Sequence, residues 1–222
     1  MDNVKNDIYF AKRILKNIEV LSRYLKDKSQ DDLLNDGFLC DAIENRFTKL
    51  SEDASKLSKP FKESLPTIPW TAIYSIRNRI CHDYDVVDAP TLYKTVKISF
   101  PKFRDDLLGK LPCHFMTLYQ EPFLAIAEGW KTVEMRLNDE KRRLLKIGDL
   151  IVFANKDTEE RAIVEIDDLK PFLSFDELYA SYPKRAIGYR NDEKPDPRDM
   201  LEYYRKEDIR KWGTLAICIK LY

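Results

Sequence analysis

An arginine stands five residues before one of the chain's two histidines, in the run Arg77-Asn78-Arg79-Ile80-Cys81-His82-Asp83-Tyr84. A guanidinium holds a phosphate in a planar fork of N–H donors. An imidazole takes up or gives away a proton near neutral pH. Together they are the minimum equipment for cutting RNA without a metal, because the substrate's own 2′-hydroxyl supplies the nucleophile. Asn78 lies four residues before His82 and so shares its helix face, where it could hold the ring in one tautomer. Arg77 and His82 fall about 140° apart on a regular helix. One chain converges them only if the helix ends near His82, and Asp83 to Pro90 read as a helix end and loop. On residue types alone, such a pair at a helix end is more often a solvated pair, and Arg79 reads as surface.

A second constellation is Glu128-Gly129-Trp130-Lys131-Thr132-Val133-Glu134-Met135-Arg136. Glycine ends a helix and a strand follows at once. Alternation puts Thr132, Glu134 and Arg136 on one face of that strand, with Lys131 at its mouth. The bland reading is a cross-strand ion pair on a solvated sheet face. The chemical one is a polar surface that meets a ligand with a cation, a hydroxyl, a carboxylate and a guanidinium.

The elements that must position these residues change character halfway along the chain. Val4, Ile8, Ala11, Leu15, Ile18 and Leu25 recur at helical spacing. A second helix should begin near Gln30 and carry Leu39, Ile43, Phe47, Leu50, Ala54 and Leu57, ending at Ser58 to Pro60. A third should start near Pro69, and Ile73, Ile76 and Ile80 give it an apolar stripe. A last one should span about Pro90 to Leu108. Beyond Gly109 come short β-type runs at Phe115 to Tyr119, Thr132 to Leu137, Leu150 to Ala154, Arg161 to Leu169 and Thr214 to Leu221, with helices at Glu121–Glu128, Ser174–Ser181 and Pro197–Lys211. Lys184 to Pro197 reads as a long loop. The fold class is therefore α+β in two domains: an all-α bundle over residues 1–110 and a small, partly closed α/β barrel over 114–222.

Composition narrows the partners. The 222 residues hold 38 basic and 38 acidic side chains, so RNA would have to be met by local patches rather than bulk charge. Charge runs such as Asp139 to Arg143 read as solvated faces. Cys40, Cys81, Cys113 and Cys218 make no CxxC pair, which argues against a zinc site or a disulfide framework and suggests small core residues. No signal peptide or long apolar run is visible, so a reduced, cytoplasmic setting without membrane contact is expected, with no metal and no cofactor.

The string R-x4-H-x-Y, made here by Arg77, His82 and Tyr84, together with the helical pattern around it, resembles the HepT-like toxins of the HEPN superfamily. The resemblance covers about residues 1–110. It implies a metal-independent endoribonuclease in which His82 is the general acid–base and Arg77 stabilises the phosphate. It also implies a homodimer whose two-fold interface joins two motifs into one cleft. A separate MNT-type nucleotidyltransferase, acting as antitoxin, would add AMP to Tyr84. The second half, about residues 114–222, resembles the ASCH domain, a PUA-like barrel, through Gly129-x-Lys131-Thr132-x-Glu134-x-Arg136, Lys146-Ile147-Gly148-Asp149, Phe175-Asp176-Glu177-Leu178 and Tyr203-Tyr204 before Trp212-Gly213. That resemblance implies a cleft for RNA or a nucleoside, lined by Lys131, Thr132, Glu134, Arg136, Glu202, Tyr203 and Tyr204. Some small ASCH relatives hydrolyse N4-acetylcytidine with a lysine, a threonine three residues later and a distant glutamate. Lys131 matches the lysine and Glu202 is a rough counterpart of the glutamate, but Glu134 occupies the threonine position. An amidohydrolase thus ranks behind a toxin-like ribonuclease with an appended binding domain. A non-catalytic dimeric RNA- or nucleoside-binding protein is the other alternative.

Overall fold

The computed structural model describes the backbone of residues 2–82 and 89–222, and the side chains of residues 6–78, 80 and 89–222. The chain divides into two compact units, Met1–Leu111 and Pro112–Tyr222.

The first unit is helical, as its 3.6-residue periodicity requires. Helix α1 (Asp2–Tyr24) packs on α3 (Gly37–Lys56). Ile14, Leu15, Ile18 and Leu21 of one meet Ile43, Phe47, Leu50 and Ala54 of the other in the unit's core. The second helix expected from sequence is two. Between α2 (Gln30–Asn35) and α3, Asp36 adopts an extended conformation and its carboxylate accepts from Leu39 N at 3.0 Å. An N-cap aspartate satisfies a donor at a helix start, so the apolar stripe continues while the backbone breaks. Ser58 to Pro60 likewise do more than stop a helix. Ser58 caps the short α4 (Lys59–Glu63), with Pro60 in its first turn, and donates through N and Oγ to the Asp7 carboxylate at 2.7 and 2.6 Å. The expected last helix is α6 (Ala89–Lys94) and α7 (Phe100–Leu108) joined by a π turn at Thr95–Ser99. Pro101 lacks an N–H and its ring presses on the preceding turn, so the ladder widens there and Phe100 N donates to Thr95 O.

Helix α5 (Trp70–His82) carries Arg77. Among the described residues it is fastened to α3 by two hydrogen bonds, Ser51 Oγ to Ile73 O at 3.2 Å and Tyr74 OH to Ala54 O at 3.1 Å. Ile73 lies one turn before Arg77, so these bonds set the height and roll of the arginine's helix.

The second unit is one curled five-stranded sheet in the order β1-β3-β4-β5-β2. The strands are β1 (Cys113–Leu118), β2 (Val133–Leu137), β3 (Leu150–Asn155), β4 (Arg161–Phe172) and β5 (Thr214–Leu221). Only β1 and β3 pair in parallel; the other neighbours are antiparallel. Between β1 and β2 runs α8 (Gln120–Ala127), and α9 (Phe175–Ser181) follows β4 with Ser174 as its N-cap. The helix expected at Pro197–Lys211 is a 3-10 turn at Pro197–Glu202 and a separate α10 (Lys206–Trp212). Residues 183–196 form no helix or strand, as their polar, proline-containing sequence suggests. Phe123 and Ile126 of α8 pack with Ile151, Phe153, Val164, Ile217 and Ile219 on one side of the sheet. Val133, Met135 and Leu137 pack with Phe175, Leu178, Ile187 and Met200 on the other.

Candidate functional site

Strand β2 is an edge strand, and its alternation decides the chemistry of the second unit. Glu134 pairs with Ile217 and Arg136 with Leu215 on β5, two members of the first apolar cluster. Both charged residues therefore point inward, a device that keeps an edge from pairing with another chain. The cross-strand ion pair on a solvated face is excluded, because Glu134 is only 4% exposed. Its Oε1 accepts from Arg136 Nε at 2.8 Å, and Lys131 Nζ lies 3.1 Å from its Oε2. Lys131 and Arg136 thus flank the two carboxylate oxygens of Glu134. Arg136 reaches across with Nη2 to Thr117 O of β1 at 2.9 Å, so one guanidinium bridges the two edges of the sheet.

Local backbone explains how Lys131 comes to lie beside Glu134. Gly129, at φ 81°, turns the chain out of α8, and Trp130 N and Lys131 N both donate to Ala125 O. Gly188, at φ 105°, passes directly over the lysine; a Cβ there would stand 3.0 Å from Lys131 Cδ. Lys131 Nζ also donates to Ile187 O at 3.4 Å. Burial alone would raise the Glu134 carboxyl, but Lys131 and Arg136 outweigh it and hold the group below the ordinary carboxylate range.

These residues floor a cleft of about 620 Å³. It brings together Lys131, Glu134, Arg136, Glu202, Tyr203 and Tyr204 of the expected set. Thr132 is not with them: it is exposed and lines a separate recess of about 230 Å³ with Gly129, Ile219 and Leu221. It shares their strand face by parity but lies one step before the strand begins. Tyr204 is stacked on Phe175, with centroids 5.8 Å apart and planes at 14°, whereas Tyr203 is exposed on the rim. Sequence reading passed over several further lining residues, among them Tyr119, Lys156, Tyr179, Tyr189 and Asp199. Tyr119 stands at the N-cap of α8 with Lys156 Nζ 3.7 Å from its ring centroid. Tyr189 donates to Asp199 Oδ2 at 2.6 Å and lies 3.1 Å, hydroxyl to hydroxyl, from Tyr179, whose phenol burial pushes up to about 12. The second histidine, His114, belongs to β1, where its Nε2 lies 2.9 Å from Asp149 Oδ2. Cys40, Cys113 and Cys218 are free and half-buried rather than core.

In the helical unit Arg77 is half-buried, and its Nη1 donates to Asn78 Oδ1 at 3.3 Å. His82 is the last residue of α5, but its side chain, those of Arg79 and Cys81, and the whole of Tyr84 lie outside the described residues. Among the described side chains, an ion pair with one buried member stands out. Arg13 Nε donates to Asp53 Oδ2 at 2.9 Å, and the Asp53 side chain is 1% exposed. No group of three or more described His, Cys, Asp or Glu residues is arranged to hold a metal, and no described helix is long and apolar enough to cross a membrane.

Comparison with known families assigns both halves. Residues 14–107 match the model described as Ribonuclease HepT-like, and residues 116–221 match the ASCH domain. The chain is a HepT-like domain followed by an ASCH domain, in a two-domain α+β fold. Its relatives carry ribonuclease names. The Methanocaldococcus jannaschii protein named "Gamma-glutamylcyclotransferase and putative RNase MJ0434" is 31% identical over 99 residues, 45% of each chain. The match thus spans less than half the length of that relative. The same organism's "Putative RNase MJ1380" is 24% identical over 44% of this chain and 90% of its own. "Probable ribonuclease HepT" of Thermococcus cleftensis is 26% identical over 43% and 86%. Among solved structures, one titled "Crystal structure of hypothetical protein PH0355" is 26% identical over 50% of this chain and 99% of its own, with a TM-score of 0.43. The solution structure of Protein PF0455 from Pyrococcus furiosus is also 26% identical, over 49% and 96%, with a TM-score of 0.39.

Proposed function

We propose that the helical domain is a metal-independent endoribonuclease of toxin type and that the ASCH domain binds RNA or a nucleoside. The observation that carries this reading is R-x4-H-x-Y falling inside the segment that matches the HepT-like ribonuclease model. His82 takes the proton from the 2′-hydroxyl, or returns one to the leaving 5′-oxygen. Arg77 stabilises the charge that builds on the phosphate as the 2′-oxygen attacks. The products are a 2′,3′-cyclic phosphate and a 5′-hydroxyl. Asn78, bonded to Arg77, helps to orient that arginine and the ring beyond it. Two copies of the chain, paired about a two-fold axis, supply the convergence that a single helix lacks. In a cytoplasmic setting, a separate MNT-type nucleotidyltransferase silences the enzyme by adding AMP to Tyr84, whose added charge and bulk repel and block RNA.

In the ASCH domain Lys131 meets a base carbonyl or phosphate and Glu134 accepts from an exocyclic amine, with Tyr203 available for stacking. The amidohydrolase alternative is disfavoured because Glu134 stands where that reading needs a threonine, with its Oε2 3.1 Å from Lys131 Nζ. The test is cleavage of single-stranded RNA in EDTA. The parent cuts, and His82→Ala and Arg77→Ala each lose at least about a hundredfold in rate. If both variants cut like the parent, the site assignment fails; if cutting needs a divalent ion, the mechanism fails. Robust hydrolysis of N4-acetylcytidine, lost in Lys131→Ala, would promote the amidohydrolase instead.

A further inference from the structure

The rim of the ASCH cleft carries carboxylates and exposed aromatic rings. Five carboxylates line the cleft, Glu121, Glu134, Glu193, Asp199 and Glu202, against three cations, Lys131, Arg136 and Lys156. Two of those cations, Lys131 and Arg136, are paired to Glu134 on the floor. The rim is left with four carboxylates and one amine, and that amine sits on an aromatic face, Lys156 Nζ being 3.7 Å from the Tyr119 centroid. Tyr203 stands beside Tyr119 with centroids 5.9 Å apart, and the rings are 53% and 48% exposed. Carboxylates surround this aromatic pair: the Tyr203 phenol is pushed up first by burial and then by Glu202, Tyr119, Glu121 and Asp199. Beneath them, Glu134 Oε2 is buried with Lys131 Nζ 3.1 Å away.

An aromatic face attracts a cation through its quadrupole, and stacking of a base adds to it without regard to sequence. Four carboxylates at the mouth of a cleft raise the local concentration of cations and repel phosphates. We propose that this cleft selects a nucleobase that carries a positive charge, an N-methylated purine being the simplest case. The base lies on the Tyr119 face that Lys156 now covers. Lys156 is the internal cation that the ligand displaces. The inference rests on the reading of the ASCH domain as a nucleoside-binding unit and names its ligand class.

The test uses the full chain at pH 7 and titration calorimetry with 1-methyladenosine, which is cationic at that pH, adenosine and AMP. A short RNA with and without one 1-methyladenosine, measured in a His82→Ala background, distinguishes a free nucleoside from a residue within a strand. The expected result is binding of 1-methyladenosine at least tenfold tighter than adenosine, with AMP weakest and the preference shrinking as salt rises. Lys156→Met, a change at an exposed position, should tighten 1-methyladenosine severalfold. Glu202→Gln together with Glu121→Gln should reduce the preference for the charged base. Equal affinity for the two nucleosides, or tighter AMP, would overturn the inference while leaving the nucleoside site standing. Absence of binding by all three to millimolar concentration would overturn both.

Discussion

Replacing Glu134 by alanine should destabilise the ASCH domain far more than the loss of one side chain suggests. In the parent, the carboxylate lies between Lys131 Nζ at 3.1 Å and Arg136 Nε at 2.8 Å, and the Lys131 and Glu134 side chains are 6% and 5% exposed. Without it two buried cations face each other. Lys131 keeps only Ile187 O, at 3.4 Å, and Arg136 keeps Thr117 O. Stranding a buried charge in this way costs about 3–5 kcal/mol. At about 4 °C per kcal/mol for a unit of this size, the melting temperature should fall by roughly 12–20 °C. Glu134→Gln keeps the volume and one acceptor and should fall between the two. Replacing both members, as in Lys131→Met with Glu134→Leu, should recover part of the loss because fewer unpaired charges remain. The effect also has a pH signature. The folded Glu134 carboxyl titrates below its unfolded value. Its contribution is therefore complete above the unfolded pKa and is lost as pH falls through the folded one. The gap between parent and Glu134→Gln should close in acid, below about pH 4. Tryptophan fluorescence melts report this directly, since Trp130 and Trp212 lie in this unit. A drop under about 3 °C, unchanged between pH 3 and 7, would refute the buried triad as a stabilising element.

Three further outcomes are expected. Arg13→Ala should cost the helical domain about 2 kcal/mol by stranding the buried Asp53, less than a fully enclosed pair because Arg13 is half exposed; Asp53→Asn should cost less, and denaturant melts would rank them. Gly188→Ala should cost about 1–3 kcal/mol, since the position sits at φ 105° and the new Cβ would press on Lys131; calorimetry of the ASCH transition checks it. Tyr84→Phe should retain RNA cleavage but take up no AMP when incubated with ATP and an MNT-type nucleotidyltransferase, and mass spectrometry that finds the adduct elsewhere would move the modification site.

The sequence alone determined the two-domain plan, because periods of 3.6 and 2 residues are properties of local burial. The switch from one to the other after Gly109 is visible without coordinates. The positions of β2, β3 and β5 were legible for the same reason, since strand β5 spans Thr214–Leu221 and alternates toward two apolar clusters. R-x4-H-x-Y was legible as a string of residue types. Helix breaks were less so. Asp36 and Ser58 restart helices through side-chain caps, and Pro101 widens one into a π turn, while the apolar stripe runs on through all three. Hydrophobic periodicity reports which face is buried and not how the backbone bonds. The cleft was decided by tertiary structure alone. Whether Glu134 and Arg136 meet water or the interior depends on which side of the curled sheet is covered, and alternation cannot say. Tyr119, Lys156, Tyr189 and Asp199 come from four separate segments and meet only because the sheet curls until Arg136 reaches the far edge at Thr117. Contacts of that kind are fixed by strand order and curvature, which no window of the sequence contains.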